Sequence, residues 1–535
     1  MRPSLWQPPI ALSPEETAIV RRVHRAKLFV FLRQQRHVLF SDEFQQELAT
    51  ALYDDKPKGH PPIPPAQLAL ATILQAYSGV SDDEVIEATT MDRRWQLVLD
   101  CLDCPEPPFS KATLVAFRQR LIAHDFDRRL IERTLEVAKE SGAVSAKALR
   151  VALDSSPLWG AGKVEDTYSL LGHALRKALG VMARQPGRGL AEVAAQAGVA
   201  PLLGGPHSLK AALDLDWDEP QASTRGLIAV LGALDAVERW LDEQGIASDS
   251  QAQVQASRAA ARQVRQQDVE MTAEGLPALR RGVSRDRRIS IEDAAMRHGR
   301  KSRRVRIDGY KRHVLHDLDS GLVRAVGLTA ANAPEASVTA DLEIDLQAQR
   351  LGLVDLDELH LDRAYLSSRW VRERPASLAI YCKAWPVRNA GRFPKTAFTL
   401  DWQRRTIQCP NHIRLPFEPG GTLHYPAAVC ASCPLQQRCT TSVRGRSVHI
   451  HPDERLLAEL RERQHTPLGR AKLRERIAVE HTLAHVGHWQ GRRARYCGQR
   501  KNLFDLRRCA VVDNLHVMSR LSVFAGEPRQ DKKAA

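Results

Sequence analysis

Period-two alternation is confined to a few short runs in a chain that otherwise reads as helix, and this limits the folds open to it. In ALRVALDSS, Leu149, Val151 and Leu153 alternate with Arg150, Ala152 and Asp154, the side-chain period of a strand. RVRIDGYKRHVLHDLDSGLVRAVGLTAAN holds two alternating runs, and Asp319, Ser320 and Gly321 supply the hairpin turn between them. DELHLDRAY sets Leu359 and Leu361 on one face, and SLAIYCKAW reads as a fifth strand. Few strands, separated by long helical stretches, predict an α/β fold with five strands. The first and fourth strands are expected to end at an acid, Asp154 and Asp362.

The helical parts have readable boundaries. Residues 14–58 are expected to be helical, followed by a break at GHPPIPP and a second unit, AQLALATILQAYSG. Ser81 and Glu84 form a capping-box pattern, and Ser110 precedes KATLVAFRQRL. Arg118 and Arg120 on that last helix suit a DNA-binding module or an ordinary helical domain. Residues 160–280, rich in Ala, Gln, Arg and Leu, carry no strand signal and read as a helical insertion. Thr466 and Pro467 are a cap and first position for a late helix. At about 100° per residue from Leu473, Ile477 falls near 40°, Ala484 near 20° and Glu480 near 340°, so Glu480 is expected in the buried stripe. A buried acid needs a partner, and Arg476 lies one turn earlier.

With 535 residues the chain has room for two to four domains. Lys and Arg number 78 against 63 Asp and Glu, a net charge of +15 that points to a polyanionic partner, nucleic acid first. A hydrophobic content of 43% excludes disorder as the main state. The most apolar stretch, GLIAVLGALDAV, meets Asp235 within one helix, so no membrane-spanning segment is expected. The opening MRPSLWQPPIALSPEE lacks the uninterrupted apolar run of a secretory peptide, and the chain reads as cytoplasmic.

Three constellations carry chemistry. Asp154, Asp362 and an inward Glu480 on neighbouring elements would repel one another until divalent cations neutralise them, the layout of a two-metal phosphoryl-transfer site. Cys409, Cys430, Cys433 and Cys439, with a Cys-x-x-Cys pair among them, have the donors for a structural zinc, with His412 as a substitute ligand. The alternative is reduced, buried thiols acting as small hydrophobes. HWQGRRARYCGQRKNLFDLRRC gathers Arg492, Arg493, Arg495, Arg500, Lys501, Arg507 and Arg508 after the Glu480 helix. This cluster is expected to contact DNA phosphates; the competing reading is a solvated basic face.

At these residues the chain resembles the DDE transposases of bacterial insertion sequences. LRVALDSSPLWGAGKVEDTYSLL resembles the segment of that family's first Asp, GYKRHVLHDLDSGLVRAVGLTAAN its second and third strands, HLDRAYLSS its second Asp, and RERIAVEHTLAHVGHW the helix of its Glu, where Arg476 and Glu480 keep the family's spacing. IPPAQLALATILQAYSGVSDDEV and SKATLVAFRQRL resemble its front domain. Leu473 and Gly487 stand where the family has a Tyr and a basic residue, and His485 and His488 lie close by. The resemblance implies an RNase H-like catalytic domain with a mixed five-stranded sheet over residues 147–520, with a helical insertion at 160–280 and a Cys-rich, zinc-knuckle-like insertion at 385–450. It also implies a DNA-binding front domain over 1–140, and residues 521–535 read as a disordered basic tail. It further implies catalytic and Mg²⁺- or Mn²⁺-binding roles for Asp154, Asp362 and Glu480 with two ions, an auxiliary Arg476, and a structural Zn²⁺. The implied activity is cleavage and strand transfer on double-stranded DNA, namely the element's terminal inverted repeats and a target, by a homodimer that is nucleoid-associated when bound. A structure-specific nuclease or resolvase, and a non-catalytic DNA-binding derivative, are the competing functions. For Arg476, contact with a DNA phosphate is preferred over a purely structural partnership with Glu480.

Overall fold

The computed structural model describes residues 2–524 except 56–59, 143, 145–147, 185–187, 206–207, 302–303 and 522. The expected tail therefore lies, from residue 525 onward, outside the described residues. The fold is α/β. Its main sheet has six strands: β1 Leu149–Trp159, β2 Arg297–Arg300, β3 Arg306–Asp317, β4 Val323–Ala330, β5 Leu356–Leu361 and β6 Ala379–Tyr381. β3 is antiparallel to β1, and β4 is antiparallel to β3. β5 runs parallel to β1 on its other side, and β6 runs parallel to β5. The short β2, which alternation in the sequence did not announce, pairs with the first residues of β3 on the edge that β4 then occupies.

Alternation sorts the strand residues between two cores. Val151, Leu153, Leu315, Leu359 and Leu361 pack on one face with Leu342, Leu346, Leu456 and Leu460. Ala152, Leu158, Val314 and Leu328 pack on the other, continuous with Val479, Leu483 and Val486, with the terminal helix Gln499–Met518, and with the front helices. Those front helices run from Pro14–Arg22 to Asp127–Glu140. Ser81 and Glu84 close the expected capping box, and Ser110 caps Lys111–Ala123. Arg118 turns inward to Gln75 and Asp82, and Arg120 lies over the Tyr53 ring, so neither is presented as a free DNA contact.

Between β1 and β2 the helices Thr167–Ala183, Ala222–Glu243 and Ser248–Asp268 build a separate core around Leu171, Leu175, Leu234 and Val264. Strand pairing does occur here, contrary to the sequence reading: Val269–Met271 pairs with Pro277–Leu279. Three-residue strands are too short to show a period. The cysteine segment likewise folds as small sheets, Thr399–Asp401, Thr406–Gln408 and Arg414–Pro416 in one and Thr422–His424 with Ser447–His449 in another, around Phe398, Ile407, Tyr425 and Ile450. Among the described residues no helix is long and apolar enough to cross a membrane.

Candidate active site

Strand register brings the two aspartates together. The last β1 residue paired with β5 is Leu153, opposite Leu361. The next residues, Asp154 and Asp362, leave this parallel pair side by side and on the face opposite the two leucines. Asp154 does not end its strand as expected, because Ser155 to Trp159 stay paired with β3 after β5 has stopped. Asp362 does end its strand, and it caps a short 3-10 turn by accepting from the Arg363 N–H at 2.7 Å.

The acid from the late helix arrives by a different route from the one the wheel predicted. The helix is interrupted at Arg476, giving Pro467–Glu475 and Ile477–Gln490. Val479, Thr482, Leu483, Val486 and Gln490 form the buried stripe, whereas Ile477 and Ala484 are exposed. Glu480 thus sits about 100° from Val479, on the flank, and its side chain is 50% exposed. The wheel was anchored on the wrong apolar residues. The flank faces a cavity of about 880 Å³ lined by all three acids, together with Arg476, Lys311, Arg312 and Arg492.

Arg476 joins two of these acids. It donates from Nη2 to Glu480 Oε1 at 2.7 Å and from Nη1 to Asp154 Oδ2. Burial raises the Asp154 carboxyl above its ordinary value; Arg476 and the Ser155 N–H oppose this, and the Asp362 and Glu480 charges add to it. Three converging carboxylates, one of them mostly buried, favour a cation between them, and a guanidinium fills that role here. Oxygen-only donors of this kind suit Mg²⁺ or Mn²⁺, so the residues fit the implied metal. Arg476→Ala should therefore lower stability in EDTA by on the order of 2 kcal/mol, chiefly through Asp154, because the pair to half-exposed Glu480 is worth little. Added Mg²⁺ should restore the loss. Thermal melts with and without the ion check this, and an unchanged melt in EDTA would leave Arg476 only a phosphate role.

Neighbouring groups hold the acidic flank in place. Arg312, buried, donates to Gln490 Oε1 and to the carbonyls of Pro157 and Gly491, each at 3.0 Å, tying the end of the Glu480 helix to β1. Its guanidinium lies against Gly487, where a Cβ would touch it at 3.6 Å. The Trp159 N–H donates to the Arg492 carbonyl at 3.0 Å and extends the same seam. His488 lines the cavity, whereas His485 faces Asp513 at 3.6 Å.

The expected basic cluster divides. Arg493 donates to the Gly160 and Ala161 carbonyls, and Arg495 to those of Val80 and Gly79. Arg500 and Arg507 engage Asp125 and Asp127, and Arg508 engages Asp505 and Gln75. Arg492 and Lys501 are exposed and make no side-chain bond among the described residues. The reading missed Arg300 and Lys301, which line the cavity. The dense run RHGRKSRRVR at 297–306 was the available signal.

Cys409, Cys430, Cys433 and Cys439 line one small cavity of about 30 Å³. The Arg446 N–H points at Cys430 Sγ at 3.5 Å and the Leu435 N–H at Cys433 Sγ at 3.4 Å, so backbone donors reach two of the four sulfurs. His412 instead meets Gln408 at 2.9 Å. Among the described residues, the group whose ligand atoms lie within 4.8 Å of one another is Glu358, His360 and Glu475, not the thiols. That group does not fit a metal, since Lys472 and Arg150 already neutralise it. Burial opposes ionisation of Glu358, yet Lys472, His360 and Arg150 hold its carboxyl down at about 2.

Comparison with known families bears on both ends of the chain. A family described as Transposase DDE domain matches residues 419–519, which contain Glu480 but neither aspartate. A family described as Transposase domain matches residues 19–120, the front helices. No curated protein and no solved structure matches significantly. The two transposase matches, one over the front helices and one over the segment that carries Glu480, support a DDE transposase of insertion-sequence type.

Proposed function

We propose that this transposase cuts the ends of an insertion sequence and joins them to target DNA at the cavity of Asp154, Asp362 and Glu480. The observation that carries the reading is that acids from β1, from the end of β5 and from the Ile477–Gln490 helix line one cavity although they are far apart in sequence. The strand order β4, β3, β1, β5, β6, with only β3 reversed, supports an RNase H-like catalytic domain over 147–520 that carries the insertions at 160–280 and 385–450, behind a DNA-binding front domain at 1–140. The three carboxylates would hold two Mg²⁺ or Mn²⁺ ions, which when bound supply an activated oxygen nucleophile and charge stabilisation for the leaving oxygen. The chain's own part is orientation. Arg312 fixes the helix end that presents Glu480, β1 and β5 hold the aspartates in register, and Arg476 keeps the acids compatible before the ions bind. Arg492 and Lys501 remain free for phosphate, and the active species is a homodimer on double-stranded DNA.

Labelled element ends incubated with Mg²⁺, with cut and joined products scored separately, test this reading. Cut product without joined product would favour a structure-specific nuclease or resolvase, and neither product a non-catalytic DNA-binding derivative.

The four cysteines are proposed to hold one structural zinc, supported by their shared cavity and by the N–H groups aimed at sulfur. Elemental analysis should count one zinc per chain, and chelation should lower the melting temperature. A fully stable, metal-free protein would return these thiols to the role of small hydrophobes.

A further inference from the structure

The acidic cavity has a basic rim that the three carboxylates do not explain. Six cations line it: Arg300, Lys301, Lys311, Arg312, Arg476 and Arg492. Three are occupied. Arg476 is held by Asp154 and Glu480, Lys311 by Glu335 at 3.6 Å and the Ala333 carbonyl at 3.0 Å, and Arg312 by Gln490 and two carbonyls. Arg300, Lys301 and Arg492 are exposed, and among the described residues their side chains have no hydrogen-bond or ion-pair partner. Arg300 ends β2 and Lys301 follows it, while Arg492 follows the Ile477–Gln490 helix. They thus come from two separate parts of the chain yet open onto one cavity.

We infer that Arg300, Lys301 and Arg492 form a phosphate clamp that holds the backbone of the DNA strand entering this cavity, in place of the arginine run at 493–508, whose guanidinium groups bind the protein itself. The inference deepens the transposase reading and rests on it for the identity of the strand. Unpaired cations beside a cluster of acids offset the repulsion that those acids exert on an approaching phosphate. Cations without a protein partner are also free to exchange counterions for phosphates, and that exchange makes binding salt-dependent.

Anisotropy of a short fluorescein-labelled duplex of arbitrary sequence, in EDTA over a series of NaCl concentrations, measures the clamp without any cleavage. Each phosphate contact contributes about 0.9 to the slope of log K against log salt, so the Arg300→Ala, Lys301→Ala, Arg492→Ala triple variant should lose roughly 2.7 from the slope. If the triple variant does not fold, the three single variants should each lose about 0.9. Arg404→Ala, exposed on the cysteine segment and outside the cavity, should leave the slope unchanged. An unaltered slope in the triple variant, or in all three singles, overturns the clamp, as does a loss seen only in Arg404→Ala. The catalytic reading fails separately: Asp154→Asn or Asp362→Asn protein that still cuts element ends would refute it while leaving the slope result standing.

Discussion

Asp154→Ala, Asp362→Ala and Glu480→Ala should each slow cleavage of element ends by about a thousandfold or more while end binding survives. The size follows from what a metal-binding carboxylate supports, several kcal/mol of charge stabilisation in the transition state, at about 1.4 kcal/mol per tenfold in rate. Binding should persist because the proposed phosphate contacts come from cations that these substitutions leave in place. Folding should also persist. Asp154 is held above its ordinary value by burial and by its neighbours' charge, so removing an acid relieves repulsion as well as deleting the bond to Arg476. Single-turnover cleavage and anisotropy on the same protein separate the two readouts. A variant that cuts at the normal rate removes that residue from the site, and one that neither binds nor cuts must be checked for folding before it is counted.

Much of the sheet could be read because β1, β3, β4 and β5 are long enough for a two-residue period to show. β2 and the small sheets of the cysteine segment could not, since three or four residues carry no period. Asp362 was placed at its strand end by the residues alone, but the end of β1 was misjudged, because pairing with β3 outlasts pairing with β5 and a single strand's pattern cannot reveal which neighbour stops first. Glu480 was assigned to the buried stripe because Leu473, Ile477 and Ala484 are apolar. The fold leaves Ile477 and Ala484 exposed and buries Val479 and Val486 instead. Arg312 gave no local signal at all, since its partners, Pro157 and Gly491, lie far away in the chain.

The arginine run shows the same limit most sharply, and it supplies the second large effect: Asp127→Ala should destabilise the protein by on the order of 3 kcal/mol. Asp127 opens the Asp127–Glu140 helix, and its side chain is 1% exposed. It accepts from Arg500 Nη1 at 3.0 Å and from Arg507 Nη1 at 3.3 Å, and so joins the front helices to the terminal helix. Arg507 is itself buried, with its side chain 7% exposed. Removing one partner of a buried pair typically costs about 3–5 kcal/mol because the other charge is left uncompensated. Asp125 at 2.6 Å and Asp345 at 3.4 Å still reach Arg507, which places the expected loss at the low end. Had Arg500 and Arg507 been held ready for DNA, the same substitution would leave the denaturation midpoint unchanged and alter only the salt dependence of binding. The urea midpoint of the Asp127→Ala protein decides between these outcomes. The double variant Asp127→Ala, Arg507→Met should regain part of the loss, since it removes the stranded charge along with its partner. A double variant that falls as far as the two singles combined would show that the ion pair is not what fastens the terminal helix to the front helices.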